Sequence, residues 1–132
     1  MPFRRIVVAI DGSEPAQRAL ALAAELARTS GGATLTLVTA TSGLEMVLDA
    51  EQQGAERGLA ERAERLRGQG LRVETTVRVG SAPDLVTEVA EATAADLVVA
   101  GSTGKGAVQR VLLGSVTTRL LHMLRRPLLV VP

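Results

Sequence analysis

The chain contains no cysteine, tryptophan or tyrosine, and has one phenylalanine, one histidine and one lysine. Without cysteine there is no disulfide and no thiolate to act as nucleophile or ligand. A single histidine, His122, excludes a zinc site of the usual kind. Aromatic residues make up 1% of the chain, so stacking platforms for single-stranded nucleic acid are missing and the core has to be aliphatic. Neither sign of charge dominates: 15 basic residues face 14 acidic ones, for a net charge of +1. That balance gives no electrostatic case for a nucleic-acid or membrane partner. No apolar run approaches the roughly 18 residues needed to cross a bilayer. Met1-Pro2-Phe3-Arg4-Arg5 leads straight into a strand pattern with no targeting signal. A soluble, cytoplasmic protein is the expectation, with residues 1–132 as one domain.

What is present is a repeated alternation of strand and helix patterns. Ile6-Val7-Val8-Ala9-Ile10 is continuously apolar, as in a strand covered on both faces, and the first strand is expected over 3–10. Ser13 can cap the next helix and Pro15 suits its first turn. That helix should run to about Arg28, with Ala16, Ala19, Leu20, Ala23, Leu26 and Ala27 facing inward. A second strand is expected over 33–40, a looser segment from Thr41 to about Asp49, and a long charged helix from there to about Arg67. Leu71 to Val79 alternates, with Val73, Thr75, Val77 and Val79 in step, and reads as an edge strand. Gly80-Ser81-Ala82-Pro83 opens a third helix with Leu85, Val86, Val89, Ala90 and Thr93 on its apolar face. Leu97 to Ala100 is a fourth strand, a last helix runs from Val116 to about Met123, and Leu128 to Val131 is a fifth strand. Strands alternating with helices imply an α/β fold, a parallel sheet with helices on both faces.

One stretch carries chemistry. Gly101-Ser102-Thr103-Gly104-Lys105-Gly106 follows the fourth strand, and Gly114-Ser115-Val116 leads into the last helix, with Ser115 where a helix N-cap would stand. Glycines let a ligand approach the main chain, and a helix N-terminus offers unpaired N–H groups to an anion. Ser102, Thr103 and Ser115 can bond phosphate oxygens, and Lys105 is the only lysine of the chain. The plainer readings are a connecting glycine turn and a solvated loop charge. Two better-known phosphate motifs fail. A Walker A loop needs Ser or Thr after Gly-Lys, and here Gly106 follows; the dinucleotide fingerprint has a different glycine spacing. The first strand ends at Asp11-Gly12-Ser13. In an open α/β sheet, ligands sit outside the carboxyl ends of strands where the strand order reverses. Asp11 there reads in one of three ways: an acceptor for ribose hydroxyls, a help in holding a phosphate-bridging metal, or a turn-forming residue before Gly12. His122 stands late in the last helix beside Arg125 and Arg126. It reads as a helix-end residue, not a catalytic one.

Over essentially its full length the chain resembles the universal stress protein family. The resemblance is carried by Val7-Val8-Ala9-Ile10-Asp11-Gly12-Ser13, Gly80-Ser81-Ala82-Pro83, the run from Asp96 to Gly101, and the closing run from Arg126 to Val131. Most specific is the glycine motif of the nucleotide-binding branch, G-x2-G-x9-G-[ST], which Gly101, Gly104, Gly114 and Ser115 match without a gap. The resemblance implies a Rossmann-like, adenine nucleotide alpha hydrolase-like sheet of five parallel strands in the order 3-2-1-4-5. It implies ATP in the crevice, with Mg²⁺ or Mn²⁺ bridging its phosphates. Gly101, Gly104, Gly114 and Ser115 would hold the phosphates and ribose, with Val116 close by, and Ser102 and Lys105 join them as candidates on the loop's own chemistry. Asp11 would meet the adenosine, with Ala9 beside it, and Ala40 would flank adenine where the family more often has a bulkier side chain; Ala100, next to Gly101, is a further candidate. A homodimer paired through Leu128 to Val131 is also implied. The expected function is a nucleotide-binding regulatory or stress-response protein with at most slow ATP hydrolysis. A receptor for AMP or cyclic AMP, or a dimeric interaction module without ligand, are the alternatives.

Overall fold

Ile6, Val7 and Val8 have no exposure to solvent, because they form the middle strand of a sheet covered on both faces. The computed structural model describes residues 2–41, 45–103 and 113–132. Along the chain these form β1 (Arg5–Ala9), α1 (Glu14–Thr29), β2 (Thr34–Thr41), α2 (Glu45–Gly68), β3 (Arg72–Val79), α3 (Ala82–Ala92), β4 (Leu97–Gly101), α4 (Ser115–Met123) and β5 (Leu128–Val131). All strand pairs are parallel and the order is β3-β2-β1-β4-β5, the order that the resemblance implies. Successive β1 side chains point to opposite faces. Ile6 and Val8 join Leu35, Leu37, Val73 and Val99 under α1 and α2. Val7 joins Val38 and Val98 under α3 and α4, against Leu85, Val86, Val89 and Leu120.

α1 starts as its sequence directs. The Ser13 Oγ accepts the Ala16 N–H at 3.2 Å, Pro15 occupies the first turn, and this cap type stabilises by about 1 kcal/mol. Its buried stripe is Ala16, Ala19, Ala23, Ala24 and Ala27. Leu20 and Leu26, expected inside it, are only partly buried at its margins, since the all-alanine surface lets the helix backbone come closest to the sheet. α2 begins at Glu45, four residues before the expected start. Glu45-Met46-Val47-Leu48 contains no glycine or proline and, apart from Val47, consists of good helix formers. Asp96 fixes the start of β1 from the far end of the sheet. Its Oδ2 accepts the N–H groups of Arg4 at 2.7 Å and Arg5 at 2.9 Å. Those two bonds hold its carboxyl below the ordinary aspartate range.

β3 is the outer strand on one side, as its alternation suggests. Within the expected stripe Val73 is buried, Val77 partly buried, and Thr75 and Val79 exposed, so α2 covers only part of it. Gly80 donates to the Thr41 carbonyl across the β2–β3 seam. The even-numbered β3 residues therefore face β2, and the backbone groups of Val73, Thr75, Val77 and Val79 point away from the sheet. Two of those outward carbonyls are taken by α2. Arg67 donates to the Val73 oxygen through Nε at 3.1 Å and Nη2 at 2.6 Å, and Gln52 Nε2 donates to the Val77 oxygen at 3.1 Å.

Candidate functional site

β1 and β4 are neighbours, yet α1 packs on one face of the sheet and α4 on the other. A crevice therefore opens between the ends of the two strands, where open α/β sheets hold ligands. Ala9, Asp11, Ala40, Ala100, Gly101 and Val116, predicted from three strands and a helix, all line this one cleft of about 510 Å³, which is open to solvent. Thr103 lines it too, as do Ile10, Ala16, Val38, Ala82, Val86 and Thr117, which sequence reasoning did not assign to the site. The walls are mainly small and apolar with a few polar groups, the usual make-up of a small-molecule site. Ser102, Gly114 and Ser115 flank the cleft without lining it. Gly104 and Lys105 lie outside the described residues, as does Gly106.

The loops that shape the cleft are tied to each other. Asp11 Oδ1 accepts the Ser13 N–H at 2.9 Å, and Gly12 between them has φ +82°. Asp11 thus does form a turn, at an exposed position on the cleft wall. The Ser13 hydroxyl, 7% exposed, donates to the Thr103 carbonyl at 3.5 Å and so joins the loop after β1 to the loop after β4. Ile10 donates to the Val38 carbonyl at 2.8 Å, and the Thr39 hydroxyl donates to the Ile10 carbonyl at 2.8 Å. The base of the cleft is therefore held on both sides of the chain.

Gly101 has a role that its place in a glycine motif does not suggest. A Cβ there would stand 2.7 Å from Pro15 Cβ, 2.8 Å from the Ala16 nitrogen and 2.9 Å from the Pro15 carbonyl carbon. The end of β4 runs directly beneath the first turn of α1, and only glycine fits. At the other end of the motif, Gly114 is the N-cap of α4, with φ −70° and ψ 166°. Ser115, expected as the cap, is the first helical residue. The Thr118 N–H bonds the Gly114 carbonyl at 3.0 Å, so the helical ladder begins one residue earlier. The Gly114 N–H donates to the Ser102 carbonyl at 2.8 Å. Among the described residues no side chain caps α4, and its first turn has no acidic residue to offset the partial positive charge of the helix end. The Thr117 hydroxyl, in that first turn and 2% exposed, donates to the Gly101 carbonyl at 2.7 Å. His122 is exposed in the last turn of α4 and does not line the cleft.

Among the described residues no cluster of three or more His, Cys, Asp or Glu could hold a metal ion. No helix among them is long and apolar enough to cross a membrane.

A parallel sheet in this order, with a cleft at its switch point and a helix N-terminus beside it, defines an open α/β protein, a class in which ligands sit outside the strand ends. Comparison with known proteins narrows the class. The profile of the Universal stress protein family matches residues 2–132, and the chain belongs to that family. A universal stress protein of Methanocaldococcus jannaschii is 29% identical over 139 residues, covering 98% of this chain and 82% of the relative. One of Thermus aquaticus is 31% identical over 137 residues, covering 98% of both. The fold matches the universal stress protein UspA of Lactobacillus plantarum with a TM-score of 0.90 at 23% identity, over 100% of this chain and 99% of that one. An Archaeoglobus fulgidus universal stress protein solved in complex with dAMP matches with a TM-score of 0.79 at 26% identity, over 100% of each chain. A universal stress protein solved in complex with cAMP matches with a TM-score of 0.74 at 28% identity, over 100% of this chain and 98% of the other.

Proposed function

We propose that this protein binds an adenine nucleotide, ATP, in the crevice between β1 and β4 and acts in the cytoplasm as a nucleotide-dependent regulator. The observation that carries the reading is the convergence of Ala9, Asp11, Ala40, Ala100, Gly101 and Val116 on one mainly apolar cleft, beside the N-terminus of α4, whose first turn has no acidic residue. Adenosine would lie against Ala9, Ala40, Ala100 and Val116, with Asp11 accepting from ribose. The phosphates would run toward Ser102, Gly104, Lys105, Gly114 and Ser115, where N–H groups and hydroxyls suit anionic oxygens. Mg²⁺ or Mn²⁺ would be carried by those phosphates and by water, and would supply charge neutralisation there. Among the described residues that line the cleft, Asp11 is the only acidic one and none is histidine. Asp11 belongs to the adenosine end in this reading, so hydrolysis is slow. A second copy would pair through β5. The Val98 and Ser102 N–H groups bond the Pro127 and Val131 carbonyls, which turns the backbone groups of Leu128 and Val130 outward.

Calorimetric titration of nucleotide-stripped protein with ATP and Mg²⁺, with cyclic AMP alongside, tests the reading. Micromolar binding of ATP is expected, and Gly114→Phe should abolish it while the fold survives. Tighter binding of cyclic AMP would favour a receptor for AMP or cyclic AMP, the second reading, which gains weight from the cAMP and dAMP complexes of two structural relatives. Binding of neither nucleotide would refute both and leave an interaction module without ligand.

A further inference from the structure

We infer that Thr117 is a positioning residue of the site: its hydroxyl claims the Gly101 carbonyl, which otherwise faces the crevice as a bare acceptor where phosphates would lie. The inference rests on the nucleotide reading above. The strand register supplies the argument. Even-numbered β4 residues bond β5, through the Val98 and Ser102 N–H groups, so the backbone groups of Gly101 face the β1 side. Pairing of β1 with β4 ends at Val8 and Val99. At the level of Gly101 no strand stands opposite among the described residues, and its carbonyl points into the gap where β1 and β4 diverge. Thr117 Oγ1 fills that demand at 2.7 Å, and both residues line the cleft.

Two effects follow from one bond. A lone carbonyl oxygen carries partial negative charge and repels an anion; the Thr117 proton neutralises it. The same bond fixes the first turn of α4 to the end of β4, alongside the backbone bond from Gly114 to the Ser102 carbonyl. The donors of the α4 N-terminus are thereby set at a fixed distance from the strand ends. Of the adenosine contacts proposed above, Ala9 and Ala40 stand on β1 and β2, away from this bond, and Ala100 and Val116 beside it offer only apolar surface. Loss of the hydroxyl should therefore be felt by the charged part of the ligand and not by the nucleoside.

Calorimetric titrations of the parent chain, Thr117→Val and Thr117→Ser with ATP–Mg²⁺ and with adenosine separate these effects, with a thermal melt of each variant beside them. Thr117→Val should weaken ATP roughly five- to tenfold, the weight of one hydrogen bond near a charged group, and leave adenosine within about twofold by the same scale. Thr117→Ser, which keeps the hydroxyl, should restore the parent ratio of ATP to adenosine affinity. Equal weakening of both ligands, unchanged ATP affinity in Thr117→Val, or failure of the serine variant to restore the ratio each overturn the inference. If the parent chain binds neither ligand, the nucleotide reading itself falls and the inference with it. Should the valine variant not fold, Thr117→Ala removes the same hydroxyl without adding bulk, and the same affinity ratio is read.

Discussion

Replacing Gly101 by alanine would put a methyl group 2.7 Å from Pro15 Cβ and 2.8 Å from the Ala16 nitrogen. Carbon atoms in ordinary contact sit about 3.5–4.0 Å apart, so the end of β4 and the first turn of α1 would have to separate by roughly 1 Å. Neither side yields easily. The proline ring is rigid, and α1 is held there by the Ser13 cap and by the buried Ala16 and Ala19. On the β4 side, Val98 and Val99 are wholly buried. Overpacking of this kind costs about 1–3 kcal/mol. For a chain of this length the melting midpoint should drop by about 4–11 °C. Thermal and urea denaturation of the ligand-free protein, followed by far-UV circular dichroism, reads the effect with no nucleotide present. A Gly101→Ala variant that melts within about 1 °C of the parent would falsify the packing argument. Gly101 would then be glycine solely for the sake of a ligand.

Two further perturbations bear on the fold. Leu120 is fully enclosed among Val7, Val86, Val89 and Val98, so Leu120→Ala should cost about 2–5 kcal/mol; a loss under 1 kcal/mol in urea titration would show that α4 is not anchored there. Asp96 is depressed in the folded state by the Arg4 and Arg5 N–H groups, whereas in the unfolded chain it titrates near its ordinary value of about 3.9. Its contribution is present above that value and disappears as pH falls through the lower folded value. Asp96→Asn should therefore lower the urea midpoint at pH 7 and converge with the parent toward pH 2. A difference that persists unchanged in acid would contradict the assignment.

Several elements were legible because one local signal settled each of them. The apolar runs at Ile6 to Ile10 and Leu97 to Ala100 are too continuous for anything but covered strands, and Ser13 with Pro15 marks the start of α1 within a residue. The alternation over Leu71 to Val79 placed β3 at an edge. The cleft residues Ala9, Asp11, Ala40 and Val116 came from the family resemblance, and the fold brings them together. What was not legible depends on partners far away in the chain. Gly101 must be glycine because of Pro15, on another element, and a motif spacing cannot separate a glycine that yields to a ligand from one that yields to a helix. Thr117 reads as an ordinary helix residue until its hydroxyl is seen on the Gly101 carbonyl. The N-cap of α4 was displaced to Gly114 by its bond to Ser102, which local preference for serine could not reveal.

The arms that α2 lays across the outer side of β3 limit how the sheet can grow. Any chain that tried to add a strand there would first have to displace the Arg67 guanidinium from Val73 and the Gln52 amide from Val77, giving up good bonds before making new ones. No such guard stands over Leu128 and Val130 among the described residues. On the β5 side the one such contact among the described residues is at the chain end, where Arg18 donates to the Pro132 carbonyl at 2.7 Å. Two copies meeting through β5 would use up each other's less guarded edge, and further growth of the sheet would have to break the Arg67 and Gln52 bonds on β3.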